Sequence, residues 1–433
     1  MRHILSPSAA LFHADCRDAL RQLPDNSIDS CVTDPPYALV SIVKRFGSPN
    51  AEPAKGNEAY MRASAGFMGK SWDTGECAMD PTFWVEVLRV LKPGAHVVAF
   101  GASRGYHRMA CAIEDAGFEI RDSLMWLYGT GFPKSHDVSK AIDREAGAER
   151  EVIGEWNMPG RSKRSSEQKY RLINDSGFVT APATAAAREW ECWGTALKPA
   201  FEPIVLARKP LSEGTVAANV LRWRTGALNI DASRVHADDV AETRHRHGGG
   251  VQGAGTSYEL PDSKGEIPPG RWPANIIHDG SDEVIGAFPN TNGSKRGVKD
   301  PNGSMGYHGG ASGLPGVVGG YDDAGGSAAR FFYSAKASKA DRNGSKHPTV
   351  KPISLMEWLC TLITPPGGTV LDPFAGSGTT GIAAQNKGFQ VVLCEREAEY
   401  VTDIKARFAG SSPGEWRQYR NLRTAETTWQ QEQ

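Results

Sequence analysis

Four consecutive residues near the amino terminus, Asp34, Pro35, Pro36 and Tyr37, have the composition of a site that acts on an amino group. They follow the apolar run Ile28–Thr33, which is predicted to be a buried strand, and ligands of α/β sheets bind where such strands end. Two successive prolines stiffen the chain and leave the Pro35 carbonyl without a neighbouring N–H donor. The Asp34 carboxylate and this carbonyl would therefore be two fixed hydrogen-bond acceptors.

Paired acceptors of this kind suit the exocyclic amine of a nucleobase, which is a poor nucleophile because its lone pair is delocalised into the ring. Asp34 could accept one N–H and the Pro35 carbonyl the other, while Tyr37 offers a flat face for an extruded base. In-line attack on a bound methyl donor would then be accelerated mainly by positioning. A plain strand-terminating turn is the alternative, since Asp and Pro are common turn residues.

A second candidate site is the glycine-rich turn between the predicted strand Thr369–Asp372 and the predicted helix Thr379–Lys387. Such a turn brings backbone N–H groups and a helix N-terminus against a carboxylate or a phosphate. It has neither the glycine spacing of a dinucleotide-binding loop nor the Gly-Lys-Ser/Thr ending of a P-loop, which disfavours nucleotide phosphates. A purely structural entry into the helix is the alternative.

Two further acidic positions could contact a nucleoside. Glu395 ends an apolar strand about 20 residues beyond the glycine-rich turn, where a carboxylate can hold two ribose hydroxyls. Asp15 and Cys16 precede the first buried strand and could contact an adenine edge. The alternatives are a solvated strand-end charge for Glu395 and, for Asp15, a cap on a helix beginning near Arg17.

The elements that must position these sites alternate between apolar runs and helical stretches, which predicts an α/β fold. The predicted strands are Ile28–Thr33, Ala95–Gly101, Ile120–Leu127, Phe201–Arg208, Thr369–Asp372 and Gln390–Cys394. The predicted helices are Pro81–Leu91, Tyr106–Ala116, Pro352–Leu362 and Thr379–Lys387. The polar segment Lys134–Trp190 looks like an insertion, and Leu211–Tyr333 is rich in Gly, Asn and Asp.

The composition narrows the class of protein. At 433 residues the chain is too long for one ordinary core, which predicts a second module or a large insertion. The 49 Lys and Arg residues balance 50 Asp and Glu residues, so any nucleic-acid surface must be local. Seven cysteines without a CxxC pair argue against a zinc site and a disulfide framework, and no run is long enough to span a bilayer. We expect a cytoplasmic protein without a metal or a membrane partner.

These motifs, in this order, resemble the β class of amino-methylating DNA methyltransferases, whose catalytic motif precedes the cofactor motif. Asp34–Tyr37 looks like the catalytic tetrapeptide, Asp372–Thr379 like the cofactor loop, and Lys346–Pro352 like the segment just upstream of it. The resemblance covers most of residues 11–132 and 330–409. Asp15, Cys16, Asp29 and Glu395 also fall where the cofactor-side residues of the family are expected.

The resemblance implies a Rossmann-like, circularly permuted methyltransferase sheet of seven strands that binds S-adenosylmethionine across its strand ends. Asp15 and Cys16 would hold the adenine of the cofactor, Glu395 its ribose, and Thr349 and Lys351 its carboxylate end. The full set of implied cofactor-binding residues is Asp15, Cys16, Asp34, Pro35, His347, Thr349, Lys351, Asp372, Pro373, Phe374, Ala375, Gly376, Ser377, Gly378, Thr379, Glu395 and Arg396, with Asp372–Thr379 facing the methionine part.

The resemblance also implies a division of the chain. The segment Phe201–Ile204 resembles the last core strand, although the family usually has His-Glu where this chain has Phe-Glu. The expected parts are a catalytic half (1–133), an insertion (134–197), a core strand (198–210), an inserted target-recognition region (211–333) and a cofactor-binding half (334–433). DNA contacts are expected from Arg222, Trp223, Arg224, Arg244 and Arg246, although charge runs are more often solvated faces. Trp223 and Trp272 are otherwise predicted to be core or packing residues.

The expected substrate is adenine N6 in double-stranded DNA, reached by base flipping, and a homodimer is expected. Cytosine N4 is the nearest alternative, because its amine needs the same acceptors, but similar enzymes acting on it usually have Ser in place of Asp34. Methylation of cytosine C5 is disfavoured, because no cysteine lies in a Pro-Cys context. RNA or protein methylation and a non-catalytic DNA-binding module that responds to S-adenosylmethionine are the remaining alternatives.

Overall fold

The structure is a computed structural model of the chain that describes residues 1–37, 77–131, 135–155, 178–235, 270–292, 325–335, 341, 345 and 350–410. The chain divides into two compact units. The sheet unit comprises Met1–Gly129 and Phe201–Gln433, and the small unit comprises Thr130–Ala200. No helix among the described residues is long and apolar enough to cross a membrane.

The strands are β1 (Arg2–Ser6), β2 (Ala9–His13), β3 (Ile28–Thr33), β4 (Leu91–Phe100), β5 (Glu119–Leu127), β6 (Val152–Glu155), β7 (Phe178–Thr180), β8 (Phe201–Arg208), β9 (Ile276–His278), β10 (Asn290–Thr291), β11 (Gly326–Ser327), β12 (Tyr333–Ser334), β13 (Thr369–Asp372) and β14 (Gln390–Glu395). The helices are α1 (Cys16–Leu20), α2 (Pro81–Val90), α3 (Tyr106–Asp115), α4 (Val138–Glu145), α5 (Ala185–Glu189), α6 (Val216–Trp223), α7 (Asp282–Ala287), α8 (Ile353–Ile363), α9 (Thr379–Asn386) and α10 (Ala398–Gly410).

The sheet unit contains a ten-stranded sheet in the order β1-β2-β14-β13-β3-β4-β8-β5-β9-β12. Eight strands run in one direction, while β8 and the edge strand β1 are antiparallel to their neighbours. The carboxyl-terminal strands β13 and β14 lie between the amino-terminal strands β2 and β3. The α/β class and the permuted order are therefore confirmed. The sheet has three strands more than the seven that the resemblance implies, because β1 extends one edge and the short strands β9 and β12 extend the other.

Helices cover both faces of the sheet at its centre, so the central strands β3, β4 and β13 are largely buried, whereas β1 and β5 are mostly exposed or half-buried. The side chains of α8, α9 and α10 pack on one face, where Trp358 and Phe408 belong to the apolar cluster. Those of α1, α2 and α3 pack on the other face, with Trp84 fully buried. Successive residues of β4 alternate between the faces, as Val97 does with Val98.

Strand β3 is buried along its whole length, and each of its polar side chains has a partner. Ser30 bonds to Thr364 at 2.8 Å. Asp29 accepts hydrogen bonds from Lys92 Nζ at 2.6 Å and from Thr369 N at 2.8 Å. The expectation that Asp29 faces the cofactor is wrong, because this carboxylate lies at the amino end of β3 and its partners fix β13 and β4 there.

Helix α6 is fixed to the amino end of β4 by one buried amide. Asn219 Nδ2 donates to the carbonyls of Pro93 and Thr225, both at 2.8 Å, and Asn219 Oδ1 accepts from Ser212 N at 3.1 Å. Gly94 has a φ of +83°, and a Cβ there would lie 2.4 Å from Asn219 Nδ2. A left-handed backbone and a close approach therefore both require glycine at this turn.

The small unit has its own buried polar centre. The Asp143 carboxylate accepts hydrogen bonds from Arg150 Nη1 at 2.6 Å, from Ala183 N at 3.0 Å and from the Thr184 hydroxyl at 2.8 Å. These bonds join α4 to the segment that begins α5. The predicted insertion boundaries at 134 and 197 fall within this unit and stay a prediction.

Replacing Asn219 by alanine is expected to lower the free energy of unfolding by about 2 to 3 kcal/mol, because two carbonyls lose a donor and one N–H loses its acceptor. Urea denaturation followed by circular dichroism measures this loss. Leu221→Ala in the same helix is the control, because Leu221 is 86% exposed, and it should change stability by less than about 0.5 kcal/mol. Equal losses in the two variants would contradict the role assigned to Asn219.

Candidate active site

The two predicted motifs meet at the carboxyl edge of the sheet. Strands β3 and β13 are parallel neighbours, with Cys31 paired to Leu371, so they end side by side. The Thr33 hydroxyl donates to Asp372 Oδ1 at 2.7 Å. The turn that begins at Asp34 and the glycine-rich turn after Asp372 are therefore adjacent, although they are far apart in sequence.

Asp34 presents one carboxylate oxygen that is already paired and one that is not. Its Oδ2 lies 2.9 Å from Lys351 Nζ. Its Oδ1 is buried and has no hydrogen-bond partner among the described residues. A buried acceptor without a donor is costly, so this oxygen is the atom at which a ligand N–H would be favourable.

Lys351 is the charged centre of the site, and its side chain is 8% exposed. Its ammonium lies 2.9 Å from Asp34 Oδ2, 2.9 Å from Glu202 Oε2 and 2.9 Å from the Tyr37 hydroxyl oxygen. The Phe100 ring lies beneath the ammonium at 4.8 Å. Burial alone would lower the pKa of Lys351, but the charges of Asp34 and Glu202 outweigh it and raise the pKa above its ordinary value.

These contacts bear on the role that the resemblance implies for Lys351. A lysine ammonium has three N–H donors, and three acceptors surround this one. No donor is left over for the carboxylate end of the cofactor. The structure places Lys351 at the catalytic motif, and contact with the cofactor carboxylate stays a prediction of the resemblance alone.

Tyr37 is held in place through its hydroxyl. The hydroxyl donates to Glu202 Oε2 at 3.2 Å and accepts from Lys351. Burial of the hydroxyl, followed by the charges of Asp34 and Glu202, raises the pKa of Tyr37 well above its ordinary value. The ring is therefore a fixed neutral surface beside Asp34.

The glycine-rich turn is shaped by its backbone and by α10. Gly376 and Gly378 have φ values of +52° and +76°, and a Cβ at Gly378 would lie 3.0 Å from Ile404 Cγ1. Arg407 of α10 is buried, and its Nη1 donates to Ser377 O at 2.5 Å and to Thr379 Oγ1 at 3.2 Å. The guanidinium therefore fixes the turn to α10.

Asp372 begins this turn and is almost fully buried. Its Oδ1 also accepts from Phe374 N at 3.1 Å. Burial raises the pKa of Asp372 to about 6, although hydrogen bonds from Thr380, Thr33 and Phe374 act in the opposite direction. The carboxyl group joins β3 to the turn and has no open face toward a ligand.

Glu395 ends β14 beside the turn. Its Oε2 accepts from Gly376 N at 2.8 Å and its Oε1 accepts from Glu397 N at 2.7 Å. Burial raises the pKa of Glu395 to about 7, although these backbone bonds lower it. Each carboxylate oxygen keeps a lone pair for a further donor. Arg396 Nε lies 3.5 Å from Glu397 Oε1, so its charge is directed to that neighbour.

Asp15 and Cys16 lie next along the same edge, because β2 pairs with β14 as far as Glu395. Asp15 caps α1, since its Oδ1 accepts from Arg17 N at 3.0 Å. Cys16 is buried, and its Sγ lies 3.5 Å from Cys77 Sγ. The capping alternative for Asp15 is observed, and its predicted contact with an adenine edge stays a prediction.

The tryptophan and arginine cluster expected to contact DNA lies elsewhere. Arg224 Nη2 donates to Pro366 O at 3.3 Å, and Arg222 pairs with Glu213 at 2.7 Å. This end of α6 adjoins the amino edge of the sheet. A strand rises about 3.3 Å per residue, so the length of β4 separates this end from the catalytic motif by about 23 Å. Trp223 Nε1 donates to the Ser212 hydroxyl at 2.7 Å.

Four residues with a predicted role lie outside the described part of the chain: His347, Thr349, Arg244 and Arg246. Trp272, predicted to be a core or packing residue, is 65% exposed and so is not in the core, but its ring packs against the Arg234 guanidinium at 5.4 Å. Among the described residues no group of His, Cys, Asp or Glu side chains could hold a metal ion.

Four contacts at the site were not predicted from the sequence: those of Thr33, Phe100, Glu202 and Arg407. Glu202 follows Phe201 in the segment that resembles the last core strand, and its acidic type at a strand end was the available signal. Arg407 lies in α10, which the apolar pattern did not reveal.

The chain is similar to a known protein family and to known proteins. A family model described as DNA methylase, the N6/N4 type, matches residues 28–406. Type II methyltransferase M.HindIII of Haemophilus influenzae is 25% identical over 234 residues, which are 51% of this chain and 64% of that protein. Type II methyltransferase M2.DpnII of Streptococcus pneumoniae is 39% identical over 69 residues, 16% of this chain and 26% of that protein. The matches thus span less than two thirds of either relative.

Solved structures with a similar chain trace include M1.HpyAVI in complex with SAM, with a TM-score of 0.35, 15% identity, and coverage of 92% of this chain and 99% of that one. The cytosine-N4-specific PvuII DNA methyltransferase has a TM-score of 0.42 and 13% identity, covering 94% and 88%. The family match includes both the Asp34–Tyr37 motif and the Asp372–Thr379 turn. On that match, the chain belongs to the N6/N4 family of DNA methylases.

Proposed function

We propose that this protein transfers a methyl group from S-adenosylmethionine to the N6 amine of an adenine that is flipped out of double-stranded DNA. The observation that carries the proposal is the buried Asp34 Oδ1, which has no hydrogen-bond partner among the described residues and belongs to the residue before Pro35, whose carbonyl is the second proposed acceptor. A neutral amino group brings two N–H donors, and these two acceptors match them. Membership of the N6/N4 family supports the reaction class.

The residues at the carboxyl edge fit S-adenosylmethionine. Glu395 has lone pairs left for ribose hydroxyls, and Asp15 and Cys16 adjoin it on the adenine side. The glycines of the Asp372–Thr379 turn allow close approach of the methionine part to the backbone. When bound there, the cofactor supplies an electrophilic methyl group on its sulfonium.

The chain itself then handles the base. Asp34 Oδ1 and the Pro35 carbonyl accept the two amine hydrogens, which favours a pyramidal nitrogen whose lone pair points away from the ring. Asp34 Oδ1 accepts the proton that the nitrogen loses after attack. Tyr37, fixed by its hydroxyl, supplies the face against which the base stacks.

Adenine is proposed over cytosine because the catalytic motif begins with Asp34, where similar enzymes that act on cytosine N4 usually have Ser. A homodimer, a target-recognition role for 211–333 and an action inside the cytoplasm are also part of the proposal. Sedimentation with and without duplex DNA tests the dimer, which a monomer under both conditions would refute.

Replacing Asp34 by alanine is expected to reduce transfer of a tritiated methyl group to duplex DNA by about a thousandfold or more. Removing one acceptor leaves the amine planar, whereas calorimetric affinity for S-adenosylmethionine should stay within about twofold, because Asp34 lies beside the cofactor turn and not in it. Asp18→Ala is the control, since Asp18 is an exposed carboxylate of α1.

Mass spectrometry of the nucleosides from the same reaction should identify N6-methyladenine. Detection of N4-methylcytosine instead would make cytosine the target base, but the reaction would still be methyl transfer to an exocyclic amine of DNA. Preferential labelling of RNA or of protein would refute the DNA substrate, and full activity of Asp34→Ala would refute the catalytic motif.

Cofactor affinity is expected to rise between about pH 6 and about pH 8, because Glu395 must be ionised to accept two ribose hydroxyls. Its pKa of about 7 in the free protein means that the acceptor is lost as the pH falls below this value. Glu395→Gln should weaken cofactor binding about tenfold at about pH 8 and abolish the rise in affinity with pH. Calorimetry between about pH 6 and about pH 8 measures both effects. If the rise persists in Glu395→Gln, another group causes it, and Asp372 is the next carboxyl to titrate.

A further inference from the structure

We propose that Glu202 and Lys351 are positioning residues that keep the charge around the target amine at minus one. The inference rests on the proposed function, because it concerns the same reacting nitrogen. Lys351 separates Asp34 from Glu202, and Glu202 prevents Lys351 from neutralising Asp34.

The geometry is a closed set of contacts. The Lys351 ammonium touches Asp34 Oδ2, Glu202 Oε2 and the Tyr37 hydroxyl, each at 2.9 Å. The Tyr37 hydroxyl closes the set by donating to Glu202 Oε2 at 3.2 Å. These residues come from the end of β3, the start of β8 and the residues before α8. The set is complete without a substrate, so Asp34 is oriented before a base arrives.

The charges explain why three ionised groups are needed. Nitrogen gains positive charge as it bonds to the methyl group, while the sulfonium loses its own. A carboxylate beside that nitrogen stabilises the transition state. An ammonium paired with Asp34 alone would cancel this effect, and the Glu202 carboxylate restores the net negative charge.

Lys351 has the complementary purpose. Both carboxylates contact one ammonium, so they lie less than about 6 Å apart, and without the cation their mutual repulsion would favour protonation of one of them. A proton on Asp34 would occupy the acceptor that the amine needs. Lys351 therefore offsets this repulsion, so that both carboxylates can act as acceptors.

The other titratable groups that face the three charged residues of this set are Tyr37, Tyr128 and Asp372. The charges of Glu202 and Lys351 act on Tyr128, whose pKa burial raises, and the charge of Asp34 acts on Asp372. Both tyrosines stay neutral throughout the working range. Asp372 titrates near 6, and the variants below leave it in place, so its contribution is common to all of them.

The experiment compares Glu202→Gln, Lys351→Met and the double variant in single-turnover methyl transfer to duplex DNA. The net charge of the set is zero in Glu202→Gln, minus two in Lys351→Met and minus one in the double variant, as in the wild type. Glu202→Gln keeps an oxygen that accepts from Lys351, and we expect its rate to fall about tenfold, whereas Lys351→Met should fall about a hundredfold near neutral pH.

The double variant should recover at least about tenfold of the rate lost in Lys351→Met, because it restores the charge of minus one. The acid limb of the pH–rate profile should move to higher pH in Lys351→Met and back in the double variant. Affinity for S-adenosylmethionine should stay within about twofold in all three variants, since Asp34, Glu202 and Tyr37 take up the three donors of Lys351.

Glu119→Gln is the matched control, because Glu119 pairs with Arg208 at 2.6 Å at the opposite edge of the same sheet. It removes one partner of an ion pair away from the site, and its rate should equal that of the wild type. Thermal unfolding checks that each variant is folded. If Lys351→Met does not fold, Glu202→Gln decides alone: a slower rate with its acid limb at lower pH supports the inference.

Rates in the double variant that equal the product of the two single losses would overturn the inference, as would a wild-type rate and profile in Glu202→Gln. So would weaker cofactor binding with an unchanged rate in Lys351→Met, which would make Lys351 a cofactor ligand. In each of these cases the wild type still methylates DNA and Asp34→Ala does not. Loss of the proposed function is a different result, because then the wild type transfers no methyl group to DNA.

Discussion

The Lys351 ammonium is buried, and a buried charge must have partners because its desolvation is costly. Those partners lie in the turn after β3, for Asp34 and Tyr37, and at the start of β8, for Glu202. Satisfying one cation therefore fixes the relative position of parts of the chain that are distant in sequence. The orientation of the catalytic carboxylate is a consequence of this requirement. The unpaired Asp34 Oδ1 remains as the polar atom that the ammonium does not use.

The permuted sheet makes this arrangement possible. Strand β13, from the carboxyl-terminal part, is inserted between β14 and β3, so the end of the catalytic strand and the start of the glycine-rich turn are neighbours. The Thr33 hydroxyl and the Asp372 carboxylate then bridge them. The antiparallel strand β8 enters from the opposite direction, and for that reason its first residues, including Glu202, reach the same edge at which the parallel strands end.

The local sequence pattern was sufficient to predict the bounds of several buried strands. The strands Ile28–Thr33, Phe201–Arg208 and Thr369–Asp372 have the predicted bounds, because continuous apolar runs between turn residues are typical of buried strands. Strand β4 begins at Leu91 rather than Ala95, because Leu91 already pairs with Ile28 of β3 although Lys92, Pro93 and Gly94 interrupt the apolar run. The β1–β2 hairpin and α10 were missed, since their apolar residues are few or mixed with charges. The Lys351 contacts could not be predicted, because they depend on which strands become neighbours.

A structural explanation of the Asp34, Glu202 and Lys351 set is weaker than a functional one. Buried ion pairs contribute little net stability, because desolvation offsets most of their attraction, and apolar side chains of similar volume are often as good. At Asn219 and Asp143, by contrast, a neutral amide and a carboxylate each meet several hydrogen-bond partners that join elements of the fold. The set at the sheet edge instead leaves Asp34 Oδ1 unsatisfied beside a phenol and an ammonium. Trp126 Nε1 and Ser233 Oγ are also buried without a hydrogen-bond partner among the described residues, but an unsatisfied carboxylate oxygen is costlier than a neutral indole or hydroxyl group. A site that must accept an N–H from outside requires such an oxygen.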